Sequence, residues 1–527
     1  MMKILVSDPL SEEGLKILKS VKEFQVEVKL ELKPETLKGI IKDYDALIVR
    51  SATKVTADII NAADKLKIIG RAGVGLDNVD LKAATQKGII VMNTPGGNTI
   101  STCEHTMSML LALSRNIPQA DVSTKSGEWK RSKFMGVEVY NKILGIVGLG
   151  RIGTEVAKRA LSFGMKIIAY DPYLSREKAE ELGIELVELK DLFRRADYIT
   201  VHTPLSDETN HMISDAEFAL MKDGVRIINC ARGGIIDEAA LARALENKKV
   251  IGAALDVFEN EPLKDSPLLK FSNIVITPHL GASTEEAQVN VAVEIAEVVR
   301  DALLGGGIRN AANYPCLEAE VCKMLKPYIN LSEKLGLFVG QLFEGRLSEV
   351  KLEYAGEITK MDCAPLTIAL VKGCLTPILQ DTVNFVNALS LAKERGIRLN
   401  EGKSSQSEEF ANLISVEVKT DKDIHRVSGT LFTNKEMRIV KLDDFYLEAT
   451  PQGIMLVIHN LDRPGVIGNL GTLLGKHNIN IAAMTFGRQE RGGKSVSVLN
   501  IDSVPSADVL GQIKKLENIS AVRMIKL

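Results

Sequence analysis

Three short segments of the chain end in side chains that could move a proton and hold an anion. Residues 227–234 read Ile-Ile-Asn-Cys-Ala-Arg-Gly-Gly, an apolar run that delivers Arg232 into a glycine turn. Residues 256–262 read Asp-Val-Phe-Glu-Asn-Glu-Pro and bring Glu261, just after the strand-like stretch 252–255. Residues 274–282 read Ile-Val-Ile-Thr-Pro-His-Leu-Gly-Ala and bring His279. Imidazole exchanges protons near neutral pH, which makes His279 the natural acid/base. A neighbouring carboxylate such as Glu261 stabilises the ring as it takes up a proton. The planar guanidinium of Arg232 presents a donor fork that fits a carboxylate. A base for a hydroxyl proton and a cation for a carboxylate are what hydride transfer from a 2-hydroxy acid requires. Taken singly, a histidine in a core, a glutamate beside a proline and a paired arginine each have plainer readings. Their shared position after apolar runs joins them, because open α/β sheets bind ligands at the ends of their strands.

A hydride needs an acceptor, and the sequence offers a place for one. The apolar stretch 143–147 leads into Gly148-Leu149-Gly150-Arg151-Ile152-Gly153. A helical pattern follows over 154–163, and then an apolar run, 166–170, that ends at Asp171. Strand, glycine turn, helix, strand and acidic residue form the dinucleotide fingerprint in its required context. Gly148 permits the tight turn, Gly150 lets the backbone approach a pyrophosphate, and Gly153 lets helix and strand pack closely. Amide groups at the helix start receive the anion. Asp171 is expected to accept hydrogen bonds from ribose hydroxyls and to repel a 2′-phosphate, so the expected cofactor is NAD rather than NADP.

These groups need a scaffold, and the pattern supplies one. Residues 3–8, 46–50, 66–71 and 89–93 are apolar runs of strand length, with helical segments at 12–20 and 34–43 between the first two. Such alternation favours a parallel sheet covered by helices. A helix over 101–116, with Met107, Leu110, Leu111 and Leu113 at helical spacing, leads from this sheet into the unit that begins at Lys142. Ser283 and Glu286 have the spacing of a capping box at the start of a long helix over 285–304, which Gly305–Gly307 ends. This helix is expected to return to the first sheet, leaving the nucleotide unit inserted in a discontinuous domain. Residues 311–448 mix helical stretches (321–343 and 376–395) with strand-like ones (413–419 and 436–441), around a polar loop at 401–409. The last segments, 454–460, 465–477, 479–487, 495–502, 507–516 and 522–526, read βαββαβ, a ferredoxin-like order. The expected division is 1–98 with 284–310, then 99–283, 311–448 and 449–527.

Bulk properties narrow the classes further. A chain of 527 residues exceeds one compact core, and 45% hydrophobic with 25% charged residues is ordinary for a globular protein. With 66 basic and 68 acidic side chains, no overall field favours nucleic acid. Apolar runs stop well short of the roughly 20 residues that span a bilayer, and no signal-peptide pattern opens the sequence, so a soluble, cytoplasmic protein is expected. Six cysteines without paired CxxC spacing read as reduced packing residues, with no metal site.

The glycine fingerprint, the Arg232, Glu261 and His279 segments and the Pro-His-Leu-Gly-Ala-Ser-Thr stretch resemble the D-isomer-specific 2-hydroxyacid dehydrogenase superfamily over about the first 310 residues. The resemblance implies a Rossmann-type nucleotide domain inserted in a flavodoxin-like α/β substrate domain. It gives Arg232, Glu261 and His279 the catalytic roles. It extends the NAD-contacting set beyond the fingerprint to Thr203, Pro204, Cys230, Ala231, Arg232, Asp256, His279, Gly281 and Ala282. The whole chain resembles the long-form phosphoglycerate dehydrogenase family, with an α+β intervening domain and a C-terminal ACT domain. That resemblance implies oxidation of 3-phosphoglycerate to 3-phosphohydroxypyruvate, the entry to serine synthesis. Arg50, Arg71 and Arg131 then become phosphate or carboxylate candidates, beside Ser51, Gly73 and Asn98. In the ACT segment Asn460, Asp462 and Asn480 become candidates for binding L-serine between modules of two subunits, in a homo-oligomer that the resemblance makes a tetramer. The plainer reading is that Asp462 caps the helix beginning at Gly465 and Asn480 fixes a turn. Two rival functions fit the same catalytic trio: a glyoxylate or hydroxypyruvate reductase of the superfamily, and an NAD-sensing protein without physiological turnover.

Overall fold

The computed structural model describes residues 1–315, 319–406, 410–433 and 435–527. The first sheet is wholly parallel, in the order Phe24–Val28, Met2–Val6, Ala46–Val49, Ile68–Arg71, Ile90–Met92. This 2-1-3-4-5 order is the flavodoxin-like winding. Phe24–Val28 is an edge strand of alternating Phe-Gln-Val-Glu-Val, buried on one side only, and it carries no apolar run to mark it in the sequence. The Glu285–Leu303 helix packs on this sheet through Val291, Ile295 and Val299, in one core with Ile4, Val6 and Ile48. It lies so close to the Glu12–Lys19 helix that a Cβ on Gly14 would sit 2.5 Å from the Ala292 carbonyl oxygen.

The start of that helix differs by one residue from the sequence reading. Thr284 is the N-cap, and its Oγ1 accepts from the Ala287 amide at 3.2 Å, so Ser283 and Glu286 form no capping box. The end is a glycine stop: Gly305 is left-handed, and the Gly306 amide donates back to the Asp301 carbonyl at 2.7 Å. This satisfies a carbonyl that the helix itself leaves unpaired.

The second sheet has seven parallel strands in the order Ile274–Ile276, Val250–Leu255, Val225–Asn229, Tyr198–Val201, Ile143–Val147, Lys166–Tyr170, Glu185–Leu186. Counted along the chain from Ile143–Val147, the order is 3-2-1-4-5-6-7, the doubly wound arrangement with its crevice where the winding reverses. The Thr99–Arg115 helix leads from the first sheet and packs on the second through Cys103, Met107, Leu110 and Leu113.

Residues beyond 318 form two further sheets. The third is mixed, in the order Arg398–Ser404, Leu347–Gly356, Asn412–Thr420, Ile424–Phe432, Glu436–Leu442, Phe445–Ala449. Helices Ala319–Gly340 and Ala364–Leu379 meet at glycines: a Cβ on Gly336 would lie 2.1 Å from the Leu370 oxygen, and one on Gly373 2.2 Å from the Glu333 oxygen. The single helix expected over 376–395 is instead two, because the chain turns at Gln380 (φ 51°) and resumes at Ala388–Glu394. Residues 401–404, expected in a loop, continue a strand, and 407–409 lie outside the described residues.

The fourth sheet is antiparallel, in the order Ile481–Arg488, Lys494–Ile501, Ile454–Leu461, Ile519–Lys526. Helices Val466–Lys476 and Ala507–Lys514 cover one face with Leu470, Leu474, Val509 and Ile513. The other face, with Met455, Val457, Val496, Val498 and Ile525, shares a core with the third sheet. Among the described residues, no helix is long and apolar enough to cross a membrane, and no group of three or more His, Cys, Asp or Glu could hold a metal ion.

Candidate active site

Strand ends of the first two sheets face one another across a cleft of about 540 Å³. On one side lie Val74, Gly75, Leu76, Asp77 and Leu81, beyond the Ile68–Arg71 strand. On the other lie Thr203, Pro204, Cys230, Ala231, Arg232, Asp256, His279, Gly281 and Ala282, beyond successive strands of the nucleotide unit. Asn98, Thr102 and Ile152 also line the cleft. The three segments singled out by chemistry therefore converge as strand-end loops.

His279 and Glu261 meet directly, with Nδ1 2.8 Å from Oε2. Glu261 Oε1 accepts from the Phe258 amide at 3.1 Å, which fixes the carboxylate from behind. Burial pushes the Glu261 carboxyl up, but the hydrogen bond and charge of His279, with the Phe258 amide, outweigh it and leave it below the usual carboxylate range. With Nδ1 committed to Glu261, Nε2 is the ring nitrogen left to act on a ligand.

The backbone at His279 is left-handed, φ 56°, which is uncommon for a non-glycine residue and strained. Asp256, fully buried, holds this turn. Its Oδ1 accepts from Thr277 Oγ1 at 2.5 Å and from the Leu280 amide at 2.7 Å, and its Oδ2 accepts from the Gly281 amide at 2.9 Å. The Asp256 carbonyl takes the His279 amide at 2.9 Å, and His105 Nε2 lies 3.1 Å from Asp256 Oδ1. Burial raises the Asp256 carboxyl, yet His105, Thr277 and the loop amide bring it below its ordinary value. Asp256 thus lines the cleft chiefly as the clamp of the histidine loop.

Arg232 leaves its strand through a turn closed by Asn229, whose Nδ2 donates to the Arg232 carbonyl at 2.8 Å and whose Oδ1 accepts from the Ala231 amide at 2.9 Å. Its Nε pairs with Asp77 Oδ2 at 3.1 Å, across the two sheets. A Cβ on Gly75 would lie 2.0 Å from Arg232 Nη2, so the guanidinium rests on a glycine. Asp77, Gly75 and Leu76 went unassigned in the sequence reading. No local spacing marks them, because Asp77 meets Arg232 across 155 residues of chain.

That cluster is real. Burial, then the charge of Arg232 and that of Arg50, pull Arg71 down to about 10, against Asp77 and Asp8. Burial likewise lowers Arg50, which Asp8 opposes. Asn78 ties the two segments together, accepting from Arg71 Nε at 3.2 Å and donating to the Arg50 carbonyl at 2.6 Å. Gly73 stands against Arg71, with 2.6 Å between a Cβ built there and Nη1. Guanidinium groups that disfavour one another's charge make a site that an anion would relieve. Ser51 is exposed in the turn between Arg50 and Thr53. Arg131 is not brought to this cluster; it is exposed and lies over the Trp129 ring.

The residues fit a dinucleotide. Gly148 is left-handed (φ 94°), and a Cβ on Gly153 would lie 2.1 Å from the Gly148 oxygen, so both must be glycine. Gly150 faces open space, and Arg151 opens the helix that follows. Asp171 accepts from the Leu149 and Tyr173 amides, each at 2.8 Å, which aims its carboxylate over the glycine turn with lone pairs to spare. Thr203 Oγ1 and Asn98 Oδ1 are buried at the cleft without partners, as ligand-seeking groups would be. Desolvation drives the cleft-lining His202 down to about 4, leaving it neutral, and pushes Cys230 up to about 12, leaving it a thiol.

In the C-terminal module the three effector candidates have protein partners. Asn460 is buried, donating to the Leu461 carbonyl at 3.0 Å and accepting from Ser497 Oγ at 3.1 Å. Asp462 pairs with Arg488 at 2.9 Å; it does not cap the helix, whose N-cap is Gly465 with no side-chain bond. Asn480 Nδ2 donates to Asp502 Oδ2 at 2.7 Å.

Comparison with known proteins agrees with this anatomy along the whole chain. Residues 107–281 match the family model of the D-isomer specific 2-hydroxyacid dehydrogenase NAD binding domain, so the nucleotide site is one for NAD. Residues 324–443 match the D-3-phosphoglycerate dehydrogenase intervening domain, and 454–518 the ACT domain. Among solved structures, a glyoxylate reductase from Paecilomyes thermophila is 30% identical at a TM-score of 0.55, over 59% of this chain and 98% of its own. A D-lactate dehydrogenase from Aquifex aeolicus, complexed with NAD and lactic acid, is 30% identical at 0.53, over 57% and 96%. Each covers less than three-fifths of this chain. The D-3-phosphoglycerate dehydrogenase of Methanocaldococcus jannaschii is 48% identical over 100% of both chains. That of Bacillus subtilis is 44% identical, again over 100% of both. With the nucleotide unit, the intervening segment and the ACT module all matched in order and at full length, the chain belongs to the D-3-phosphoglycerate dehydrogenase family.

Proposed function

We propose that this protein oxidises 3-phosphoglycerate to 3-phosphohydroxypyruvate with NAD, the first step of serine synthesis. The observation that carries the reading is the Glu261–His279 pair at the cleft that Arg232 lines, with Arg71 close enough to Arg232 and Arg50 to feel the charge of both. NAD, when bound, accepts the hydride. His279 removes the C2 hydroxyl proton at Nε2, while Glu261 holds Nδ1–H and stabilises the charged ring. Arg232 holds the substrate carboxylate and polarises the C2 oxygen through its donor fork. Arg71 and Arg50 hold the phosphate, whose charge relieves their mutual repulsion. Asp171 holds the adenosine ribose, and Gly148, Gly150 and Gly153 make room for the pyrophosphate.

The surface supports a homo-oligomer, a tetramer by resemblance. Trp129, Met135, Ile117, Val122, Leu269 and Ile276 are exposed apolar side chains of the kind that subunit contacts cover. The ACT module supports feedback by L-serine at Asn460, Asp462 and Asn480, where binding would displace the Arg488 and Asp502 pairings. A small-metabolite dehydrogenase of this kind fits the cytoplasm.

The test is NADH formation from 3-phosphoglycerate by the full chain, with and without L-serine. Turnover of 3-phosphoglycerate well above that of glyoxylate, hydroxypyruvate or lactate pairs supports the assignment. Binding of NAD without turnover of any 2-hydroxy acid overturns it.

A further inference from the structure

One short helix joins the intervening domain to the cleft. Leu81–Lys87 is a seven-residue helix whose first residue, Leu81, lines the cleft next to Asp77. Its N-cap, Asp80, accepts from the Ala83 amide at 2.9 Å, and its amide donates to the Val55 carbonyl at 3.0 Å. A helix leaves its last carbonyls without internal partners. Here side chains of a different domain take them. Asn387 Nδ2 donates to the Gln86 carbonyl at 3.1 Å, and Asn384 Nδ2 to the Gly88 carbonyl at 3.3 Å. Gln86 Nε2 in turn donates to Glu394 Oε1 at 2.8 Å.

The two asparagines are pre-set for this grip. Asn387 is buried; its Oδ1 accepts from the Asn384 amide at 2.7 Å, and its Nδ2 also donates to the Thr382 carbonyl at 2.8 Å. Asn384 Oδ1 accepts from the Val386 amide at 2.9 Å and the Asn387 amide at 3.2 Å. Each side chain thus uses its carbonyl to shape its own turn and its amide to hold the helix. Gly88 is left-handed, φ 78°, and a Cβ there would lie 1.7 Å from Asn384 Nδ2, so the fit is close.

We infer that Asn384 and Asn387 are positioning residues for the reaction: through the Leu81–Lys87 helix they set the 74–77 loop, and through Asp77 the orientation of Arg232. A helix of this length is a rod of only about 10 Å, too short to absorb a displacement by bending. A shift of the intervening domain at Gly88 is therefore delivered at Leu81 and Asp77. The device rests on Arg232 holding the substrate carboxylate.

Asn384→Asp tests it, because the carboxylate keeps the acceptor that shapes the turn and replaces the donor to Gly88 with an oxygen that the Gly88 carbonyl repels. In the full-length enzyme this variant is expected to raise the KM for 3-phosphoglycerate about fivefold, with the KM for NAD and the thermal midpoint unchanged. In an Asp77→Ala background the same change is expected to add nothing, since the route to Arg232 is already cut. Wild-type constants in Asn384→Asp, equal changes in both KM values, or full additivity with Asp77→Ala would each overturn the inference. Absence of turnover in the wild-type control would instead refute the assigned reaction.

Discussion

Glu261 is exposed, and its ionised form is favoured because His279 stands 2.8 Å away and the Phe258 amide points at the other oxygen. Its carboxyl sits below the usual carboxylate range, so it stays charged wherever His279 can act as a base. Glu261→Gln keeps a hydrogen-bonding group there and removes the charge. We expect kcat to fall about 100-fold with the KM for NAD unchanged, and His279→Ala to fall about 1,000-fold. Steady-state kinetics on both variants check this; a fully active His279→Ala protein would sink the scheme. Asp171 makes a separate claim. Its carboxylate is aimed by two backbone amides over the glycine turn, so Asp171→Ala is expected to weaken NAD at least tenfold and to relax discrimination against NADP. Unchanged cofactor preference in initial-rate assays would remove Asp171 from the ribose.

The loop 277–282 belongs to the scale of elements, because one buried carboxylate holds it together. Asp256→Asn would turn a donor toward backbone amides that now find an acceptor, at a cost of about 3 kcal/mol. Asp256 has a folded-state pKa below its unfolded one, so its stabilisation is full above about pH 4, the unfolded value, and fades as pH falls through the folded value. The melting-temperature gap between wild type and Asp256→Asn should therefore be constant from pH 8 to 5 and close below about 4. A gap that instead widens in acid would contradict the assignment. Sequence pattern reaches this scale unevenly. The fingerprint, the three strand-end loops and the βαββαβ order were legible because each couples an apolar run to a turn signal. Phe24–Val28 was not, since an edge strand buries one face and mixes Gln and Glu into it. Asp77 and the Asn384 turn were not, since their meaning lies in contacts across 155 and 296 residues of chain, which no local spacing encodes.

At the scale of the molecule, the third and fourth sheets share one core. The ACT face opposite its helices does not meet solvent: Met455, Val457, Val496, Val498 and Ile525 pack in one core with Ile439, Leu442, Phe445 and Leu447. An effector that reshapes the ACT sheet must then repack this shared core, because close-packed interiors transmit strain rather than absorb it. The core in turn carries the Asn384 turn, through Val383 and Ala388, to the Leu81–Lys87 helix. Val457→Asp probes the shared core directly, placing an unpaired carboxylate where the native side chain is fully buried. Hydrogen exchange followed by mass spectrometry should show peptides covering 412–420 and 494–501 losing protection together and to the same extent. Peptides covering 143–170 should keep theirs, because the nucleotide sheet has a separate core. Loss confined to residues 454–527 would mean that the ACT module unfolds alone, and that its ligand has no mechanical route to the cleft through the core the two sheets share.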